Sequence, residues 1–220
     1  MGVISGFLCN EQLTINNLQF IVNMLLEEIK KYKIYLASQS PRRRELLAGM
    51  GFDFEVMPTH VKEVHPDGCT PAQLVEHLSR LKLSAVQLED FPENALFIAC
   101  DTVVVLDDEV LEKPDNEEDA FRMLRSLSGR EHVVMSGITV KTRHYCATRH
   151  SETRVRFRAF SDDELWYYIR HYRPFDKAGA YGIQEWIGYV GMEGMDGSFY
   201  NVMGLPTDVL WEMLQDAVAE

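Results

Sequence analysis

The chain has 220 residues, of which 46% are hydrophobic, and a formal net charge of -12. A sequence of this length and composition can bury one sizeable core. Its acidic balance argues against a broad basic surface, so neither nucleic acid nor an anionic membrane is an expected partner. Any anionic ligand must therefore be bound by a local cluster of basic residues.

Cysteine usage and the lack of long apolar runs bear on where the protein works. Cys9, Cys69, Cys100 and Cys146 are far apart and form no C-x-x-C pair, which predicts reduced thiols rather than disulfides or a zinc site. Apolar runs such as "ALFIAC" are much shorter than the roughly 20 residues that span a bilayer. The N-terminal segment has no basic residue before its apolar positions, unlike a signal or transit peptide. We therefore expect a cytoplasmic protein with no membrane partner.

An amphipathic helix is predicted at the start of the chain. Apolar side chains recur at spacings of three and four over residues 14–31. We interpret residues 1–31 as a helical extension that packs on a main domain at 32–220. A helix that binds a partner or directs targeting is the alternative.

Strands and helices alternate from there on. "YKIYLAS" predicts a buried strand, and "PRRRELLAGMG" predicts a helix that begins at Pro41 and ends at Gly49 or Gly51. "FDFEVMP" predicts a second strand. "TPAQLVEHLSRLKLSAVQLE" predicts a helix with Thr70 at its N-cap and Pro71 at its first position.

Hairpins interrupt this alternation in the second half. "ALFIACDTVVVLDDEVLEKP" predicts a hairpin that turns at Asp107–Asp108 and ends at Pro114. "NEEDAFRMLRSLSG" is typical of a helix that stops at Gly129, and two β-rich segments, a capped helix "SDDELWYYIRHY", a glycine-rich stretch and a helix near Pro206 follow. The pattern predicts an α/β fold with a mixed central sheet and flanking helices, in two lobes around a cleft.

Three consecutive arginines follow Ser-Pro in "SQSPRRREL", where a helix is predicted to begin. The helix dipole makes cations there unfavourable by about 0.3–1 kcal/mol each. With Ser40 as the expected N-cap, Arg42 and Arg43 fall in the first turn beside free N–H groups. A bound phosphate would offset this unfavourable charge by accepting hydrogen bonds from the arginine side chains and from the free backbone N–H groups. The alternative is a solvated basic turn paired with surface acids.

Two carboxylates are candidates for catalysis. Asp101 interrupts the apolar run "IACDTVVV", and an aspartate is rarely buried without a partner. It could hold Mg²⁺ or activate water, or it could turn the chain between strands. Glu63, just after "FEVMP", could share a metal or position water, or be a surface acid.

Three lysines could supply charge for a phosphate, namely Lys82, Lys113 and Lys177. Lys177 is the most informative, since Gly179 and Gly182 in "DKAGAYG" would let the backbone approach a ligand closely. Each lysine taken alone is equally consistent with a surface position. No G-x-S-x-G motif is present, which argues against a serine hydrolase.

The ordered set "SQSPRRREL", "ACDTVV", "LEKP", "LSGREHVV", "ETRVRF", "DKAGAYGIQ" and "NVMGLP" resembles the Maf family of nucleotide pyrophosphatases, from about Ile34 to the C-terminus. The resemblance implies an elongated α/β fold with a deep cleft, related to inosine triphosphate pyrophosphatases. It also implies hydrolysis of a nucleoside triphosphate to the monophosphate and pyrophosphate, with a divalent cation, Mg²⁺ or Mn²⁺.

The resemblance also implies roles for individual residues. Asp101 matches the aspartate that accepts a proton from water. We predict catalysis by Asp101, Glu63 and Lys82, with Asp101 and Glu63 as metal ligands. Substrate binding is predicted for Ser38, Ser40, Arg42, Arg43, Thr102, Lys113, Lys177 and Gln184.

Within the family, "DTVV" with "DKAGAYGIQ" resembles the branch that acts on dTTP and UTP, which implies that Arg42, Thr102 and Gln184 bear on base choice. A glutamine amide offers a donor and an acceptor to a pyrimidine edge. The sequence departs from the family pattern at Ser136, where threonine is usual, and at Glu185–Trp186, where a glycine is typical.

Two questions stay open at the level of the sequence. One is assembly, with a homodimer as an alternative to a monomer. The other is whether the chain turns over its nucleotide, since a nucleotide-binding regulator of cell division and septum formation is the alternative function.

Overall fold

A computed structural model describes residues 23–57, 61–62, 64–66 and 68–220. These residues form one mixed sheet flanked by helices, which confirms the predicted fold class. The strands are β1 (Lys33–Leu36), β2 (Phe54–Val56), β3 (Ala95–Leu106), β4 (Glu109–Leu111), β5 (Glu131–Lys141), β6 (Cys146–Phe157) and β7 (Met192–Asp196).

Helices connect and cover these strands. The described part of the chain begins with α1, over 23–30. The others are α2 (Pro41–Gly49), α3 (Pro71–Lys82), α4 (Glu117–Leu127), α5 (Asp162–Tyr172), α6 (Trp186–Gly191), α7 (Phe199–Met203) and α8 (Thr207–Ala219).

The sheet has the order β2-β1-β3-β5-β6-β7, and β4 pairs with β3. β1 runs parallel to both β2 and β3, whereas every other pairing is antiparallel. Parallel neighbours require a crossover connection, and α2 and α3 lie in the connections on either side of β2. The hairpins predicted from the sequence supply the antiparallel half.

The long strand β3 has a gap along one edge. β5 pairs along its other edge, while on this edge β1 pairs with Ala95–Ile98 and β4 pairs with Val104–Leu106. Residues 99–103 therefore have a neighbouring strand on one side only. Asp101 and Thr102 lie in this gap, beyond the carboxyl end of β1, where α/β sheets commonly bind ligands.

Burial on both faces of β3 shows that the sheet is covered on each side. Leu96 and Phe97 are adjacent, so their side chains point to opposite faces, and both are fully buried. Leu96 belongs to the largest core cluster, with Leu124 of α4 and Leu214 of α8. On the opposite face, Val75 of α3 belongs to a second cluster with strand residues.

Gly137 of β5 allows α3 to lie against the sheet. A Cβ atom at this position would come 2.1 Å from the carbonyl oxygen of Val75. Only glycine leaves room for a helix backbone at this distance. Because Gly137 is paired with Asp101 in the sheet register, the close approach fixes α3 beside the gap in β3.

Helix starts follow the predicted capping residues. Thr70 and Ser161 each form a capping box, with Gln73 and Glu164 respectively. Ser40 occupies the predicted N-cap position of α2, with Pro41 as the first helical residue, although the Ser40 side chain makes no capping hydrogen bond.

Two segments differ from their predicted extents. The helix predicted to continue to Glu89 ends at Lys82, because Leu83 turns into a buried cluster with Tyr35 and Phe97. Burial of these side chains outweighs the helical periodicity of the segment. The glycine-rich stretch at 176–198, for which no elements were predicted, contains α6 and β7, and α7 follows directly after it.

The N-terminal extension is described only from residue 23 on. Ile29 of α1 is fully buried in the main cluster, and the Tyr32 hydroxyl donates to the carbonyl oxygen of Ala217, 3.5 Å away. The rest of the predicted extension, residues 1–22, lies outside the described residues, as does Cys9. Cys69, Cys100 and Cys146 are free thiols, as predicted. Within the described ranges, no helix has the length and apolar character that crossing a bilayer requires.

Candidate active site

A cavity of about 480 Å³ opens at the gap in β3. Its walls come from the β1–α2 loop, the end of α3, the segment after α5 and the end of α7. A volume of this size suits a small-molecule ligand. Of the eleven predicted site residues, the structure describes ten, and all of these line the cavity: Ser38, Ser40, Arg42, Arg43, Lys82, Asp101, Thr102, Lys113, Lys177 and Gln184. Glu63 lies outside the described residues, so its role stays a prediction.

Arg43 joins the β1–α2 loop to two distant segments at the cavity. Its Nε donates to the carbonyl oxygen of Gly204 at 2.8 Å, its Nη1 to Ser38 Oγ at 3.3 Å, and its Nη2 to Thr102 Oγ1 at 3.1 Å. Thr102 Oγ1 lies 2.8 Å from Ser136 Oγ. The planar fork of the guanidinium accounts for this triple contact.

The other two arginines of the motif differ from Arg43 and from each other. Arg42 lines the cavity and donates to Asp176 Oδ2 at 2.8 Å. Arg44 is exposed, donates to the carbonyl oxygen of Gln39, and does not line the cavity. The basic turn therefore divides into two cavity arginines and one surface arginine.

Asp101 and Lys82 form an ion pair at the cavity. The Lys82 ammonium donates to Asp101 Oδ1 and, at 3.3 Å, to the carbonyl oxygen of Cys100. Both side chains are largely buried, with exposed fractions of 14% for Asp101 and 11% for Lys82. Asp101 is therefore a largely buried carboxylate that lines the cavity and has a charged partner.

Cys100 is next to this pair but is not a nucleophile. Its thiol donates to the carbonyl oxygen of Gly204 at 3.4 Å and is fully buried. Burial raises the pKa of the Cys100 thiol, so it stays protonated and unreactive.

Lys177 is a buried cation in the wall of the cavity. Its ammonium lies 2.8 Å from Asp176 Oδ1 and 3.2 Å from Glu185 Oε1. Lys113, in contrast, is exposed at the rim after β4. The two lysines and the arginines thus approach the cavity from different sides.

Gln184 presents an unsatisfied acceptor. Its Oε1 is buried and accepts no hydrogen bond within the described part of the chain. A buried amide oxygen without a donor costs about 1–3 kcal/mol. Other atoms of Gln184 line the cavity, so this side chain lies next to the space that a ligand would occupy.

The cavity is electropositive in an acidic protein. Five cationic side chains and two carboxylates line it: Arg42, Arg43, Lys82, Lys113 and Lys177 against Asp101 and Asp176. The local excess of positive charge favours a polyanionic ligand. The sequence prediction that anions must be bound by a local cluster agrees with this arrangement.

The residues present fit a hard divalent cation only in part. Among the described residues, no group of three or more His, Cys, Asp or Glu side chains could enclose a metal. Mg²⁺ is usually bound by one or two carboxylates together with substrate phosphates, and Asp101 places one carboxylate at the cavity. The donor set therefore fits an ion that is shared with the substrate rather than a site built by the protein alone.

A buried histidine supports the cavity wall. His132 Nε2 lies 2.7 Å from the hydroxyl of Tyr181, which lines the cavity, and His132 is 2% exposed. Burial without a charged partner lowers the pKa of His132 from 6.5 to about 4. The imidazole is therefore neutral in the folded protein.

We expect this histidine to make the fold sensitive to acid. As the pH falls, His132 gains its proton near pH 6.5 in the unfolded chain but only near pH 4 in the folded protein. Between these values protonation favours the unfolded chain, so the free energy of unfolding is highest above pH 6.5 and decreases towards pH 4. The loss should reach about 3 kcal/mol at pH 4. Urea unfolding from pH 7 to 4 should show a shallower decline for His132→Gln. Parallel curves for the two proteins would contradict the assignment.

Several residues of the site were not predicted from the sequence. Asp176, the acceptor of both Arg42 and Lys177, was overlooked although it precedes Lys177 in the quoted motif "DKAGAYGIQ". The sequence feature that could have identified Asp176 is its position directly before a lysine that was predicted to bind phosphate. The Gly204 carbonyl and the Tyr181 hydroxyl had no local signal, because their contacts join segments that are distant in sequence.

The fold and the site define an α/β protein with an electropositive cleft that contains carboxylate–ammonium pairs, a set typical of proteins that act on phosphate compounds. The chain belongs to the family of Maf-like proteins, whose model matches residues 33–217.

The sequences of several relatives align with this chain over nearly their full lengths. A dTTP/UTP pyrophosphatase of Porphyromonas gingivalis is 46% identical over 195 residues, which cover 87% of this chain and 98% of the relative. A dTTP/UTP pyrophosphatase of Flavobacterium johnsoniae is 42% identical over 195 residues, which cover 89% and 100%. One of Parabacteroides distasonis is 44% identical over 192 residues, which cover 87% and 99%.

Proposed function

We propose that the protein hydrolyses dTTP and UTP to the nucleoside monophosphate and pyrophosphate. The observation that carries the proposal is the gathering of Asp101, Lys82 and the arginines of the β1–α2 loop around one cavity. The similarity to pyrophosphatases of this specificity supports it. Gln184, which lines the cavity, supports the choice of base, because a glutamine amide offers a donor and an acceptor to a pyrimidine edge.

In this mechanism Asp101 accepts a proton from the water that attacks the α-phosphorus. The carboxylate oxygen that is not bonded to Lys82 is available for that water. Lys82 stays within hydrogen-bond distance of the carboxylate and holds its orientation. General-base catalysis of this kind contributes about 10²–10⁴-fold to the rate.

The remaining cations bind and orient the triphosphate. Arg42, Lys113 and Lys177 offer charge to its phosphates, and the first turn of α2 adds N–H groups that the Ser40 side chain does not occupy. Arg43, already held by Ser38 and Thr102, positions this turn against β3. These cations thereby neutralise the negative charge that develops on the leaving pyrophosphate. Such electrostatic stabilisation of the transition state is a large part of the rate enhancement in phosphoryl transfer.

Asp101, with Glu63 as predicted from the sequence, would hold the divalent ion, and such an ion, when bound, withdraws electron density from the phosphoryl group. Whether Mg²⁺ or Mn²⁺ serves best is answered by the same assay that tests the proposal.

The test is a panel of triphosphates. We expect steady pyrophosphate release over many turnovers from dTTP and UTP with Mg²⁺ or Mn²⁺, and much slower release from purine triphosphates. Equal rates across all bases would contradict the pyrimidine assignment. Binding without turnover would instead favour a nucleotide-binding regulator of cell division.

A further inference from the structure

Glu185 lies behind the wall of the cavity and does not line it. Its carboxylate is 20% exposed and uses both oxygens inside the protein. Oε1 pairs with the Lys177 ammonium at 3.2 Å, and Oε2 accepts a hydrogen bond from the hydroxyl of Tyr168. Nothing in the proposed mechanism uses this carboxylate directly, although it contacts a cation that lines the cavity.

Tyr168 holds Glu185 in place. The Tyr168 side chain is fully buried on α5, and its hydroxyl accepts the backbone N–H of Gly182 at 2.9 Å while it donates to Glu185. Burial, followed by the Glu185 carboxylate, raises the pKa of the phenol, so the hydroxyl keeps the proton that it donates. A Cβ atom on Gly182 would lie 2.9 Å from Glu185 Cδ, so this glycine makes room for the carboxylate.

Lys177 depends on this support because its side chain is only 9% exposed. A lysine ammonium sits on a flexible four-carbon stem and carries three donors. One donates to Asp176 Oδ1, and Glu185 Oε1 lies within ion-pair distance at 3.2 Å, so the two carboxylates hold the ammonium while donor capacity remains for a ligand in the cavity. Asp176 also binds Arg42 and is 56% exposed, so Glu185 is the better shielded of the two partners. Removing one partner of a buried ion pair is strongly unfavourable.

We propose that Glu185, oriented by Tyr168, is a positioning residue that holds the Lys177 ammonium at the cavity wall for the triphosphate. The identity of that ligand rests on the proposed function. Glu185 does not touch the substrate and acts through Lys177 alone. Its contribution is preorganisation, because a cation that is already oriented loses less conformational entropy on binding.

A double-mutant cycle tests this dependence. Binding of the non-hydrolysable α,β-methylene-UTP with Mg²⁺ is measured by calorimetry on the full chain. We expect Glu185→Gln and Lys177→Gln each to weaken binding about tenfold. The double variant should bind no more weakly than Lys177→Gln, because Glu185 has no effect once its partner is absent. Wild-type or tighter affinity in Glu185→Gln, or losses that multiply in the double variant, would overturn the proposal.

Tyr168→Phe provides a second route, since it leaves Glu185 in place but removes its hydroxyl donor. We expect weaker binding of the analogue in this variant as well. Tyr172→Phe is the matched control, because Tyr172 lies on the same helix and stacks on Tyr168 with ring centroids 5.1 Å apart. This variant should bind the analogue as tightly as the wild-type protein does. Equal affinity in the two tyrosine variants would count against the orienting role of Tyr168.

The binding cycle is independent of the reaction. Pyrophosphate release by the wild-type protein tests the proposed function separately. If release from dTTP and UTP is absent but the cycle shows the expected coupling, the positioning role stands and the reaction is wrong. If release is normal but the losses multiply, the positioning role alone is overturned.

Discussion

Asp101→Asn should reduce pyrophosphate release from dTTP and UTP about a thousandfold, because asparagine has the same shape but cannot take a proton from water. The affected step is the attack of water, so the loss should appear in kcat more than in KM. Release of pyrophosphate under saturating nucleotide is the measurement. Turnover within a few fold of wild type would rule out Asp101 as the base.

The same substitution breaks the ion pair with Lys82, so folding must be checked in parallel. Both side chains are largely buried, and the loss of one charge from such an ion pair destabilises the protein. Calorimetric binding of α,β-methylene-UTP shows whether the cavity is intact. Asp108→Asn is a matched control: Asp108 is exposed in the β3–β4 turn with φ 67°, a conformation that asparagine tolerates, and it should leave turnover unchanged.

Gly137→Ala should destabilise the protein by about 3 kcal/mol, because overpacking a close backbone contact forces the elements apart. The new methyl group would lie 2.1 Å from the Val75 carbonyl oxygen, so α3 must move away from β5. Since α3 carries Lys82, the same movement should separate Lys82 from Asp101 and lower kcat. Urea unfolding and pyrophosphate release measure the two effects.

Gly49→Ala is the control for this substitution. Gly49 lies at the end of α2, and no atom is within 4 Å of a Cβ added there. Alanine favours the helix by up to about 1 kcal/mol over glycine, so this variant should be at least as stable as wild type and fully active. Wild-type stability in Gly137→Ala would show that α3 can shift at no cost, which would contradict its proposed part in placing Lys82.

Local patterns in the sequence were sufficient for most of the elements. The capping boxes at Thr70 and Ser161 involve residues three positions apart, so a short stretch contains the whole signal. The turn at Asp107–Asp108 is equally local, and it joins β3 and β4 as predicted. The alternation of strands and helices, broken by hairpins, was enough to predict the mixed sheet.

Burial in the tertiary structure decided where local patterns were wrong. Helical periodicity continued past Lys82, but Leu83 instead packs in a cluster with strand residues. A propensity acts over one turn of chain, whereas the competing contacts come from segments that are far away in sequence.

The available chemistry can be read from the amino-acid sequence alone: an acidic chain with a few clustered cations, one carboxylate inside an apolar strand, and motifs that match a family. Which of these groups meet depends on the packing of distant segments. Arg43 reaches Gly204, 161 positions along the chain, and Lys177 is held by Tyr168 through Glu185. Such contacts depend on how the β1–α2 loop, α5 and α7 pack around the gap in β3. The hydrophobic periodicity of a segment shows which of its faces is buried, but it does not show which distant segment packs against that face.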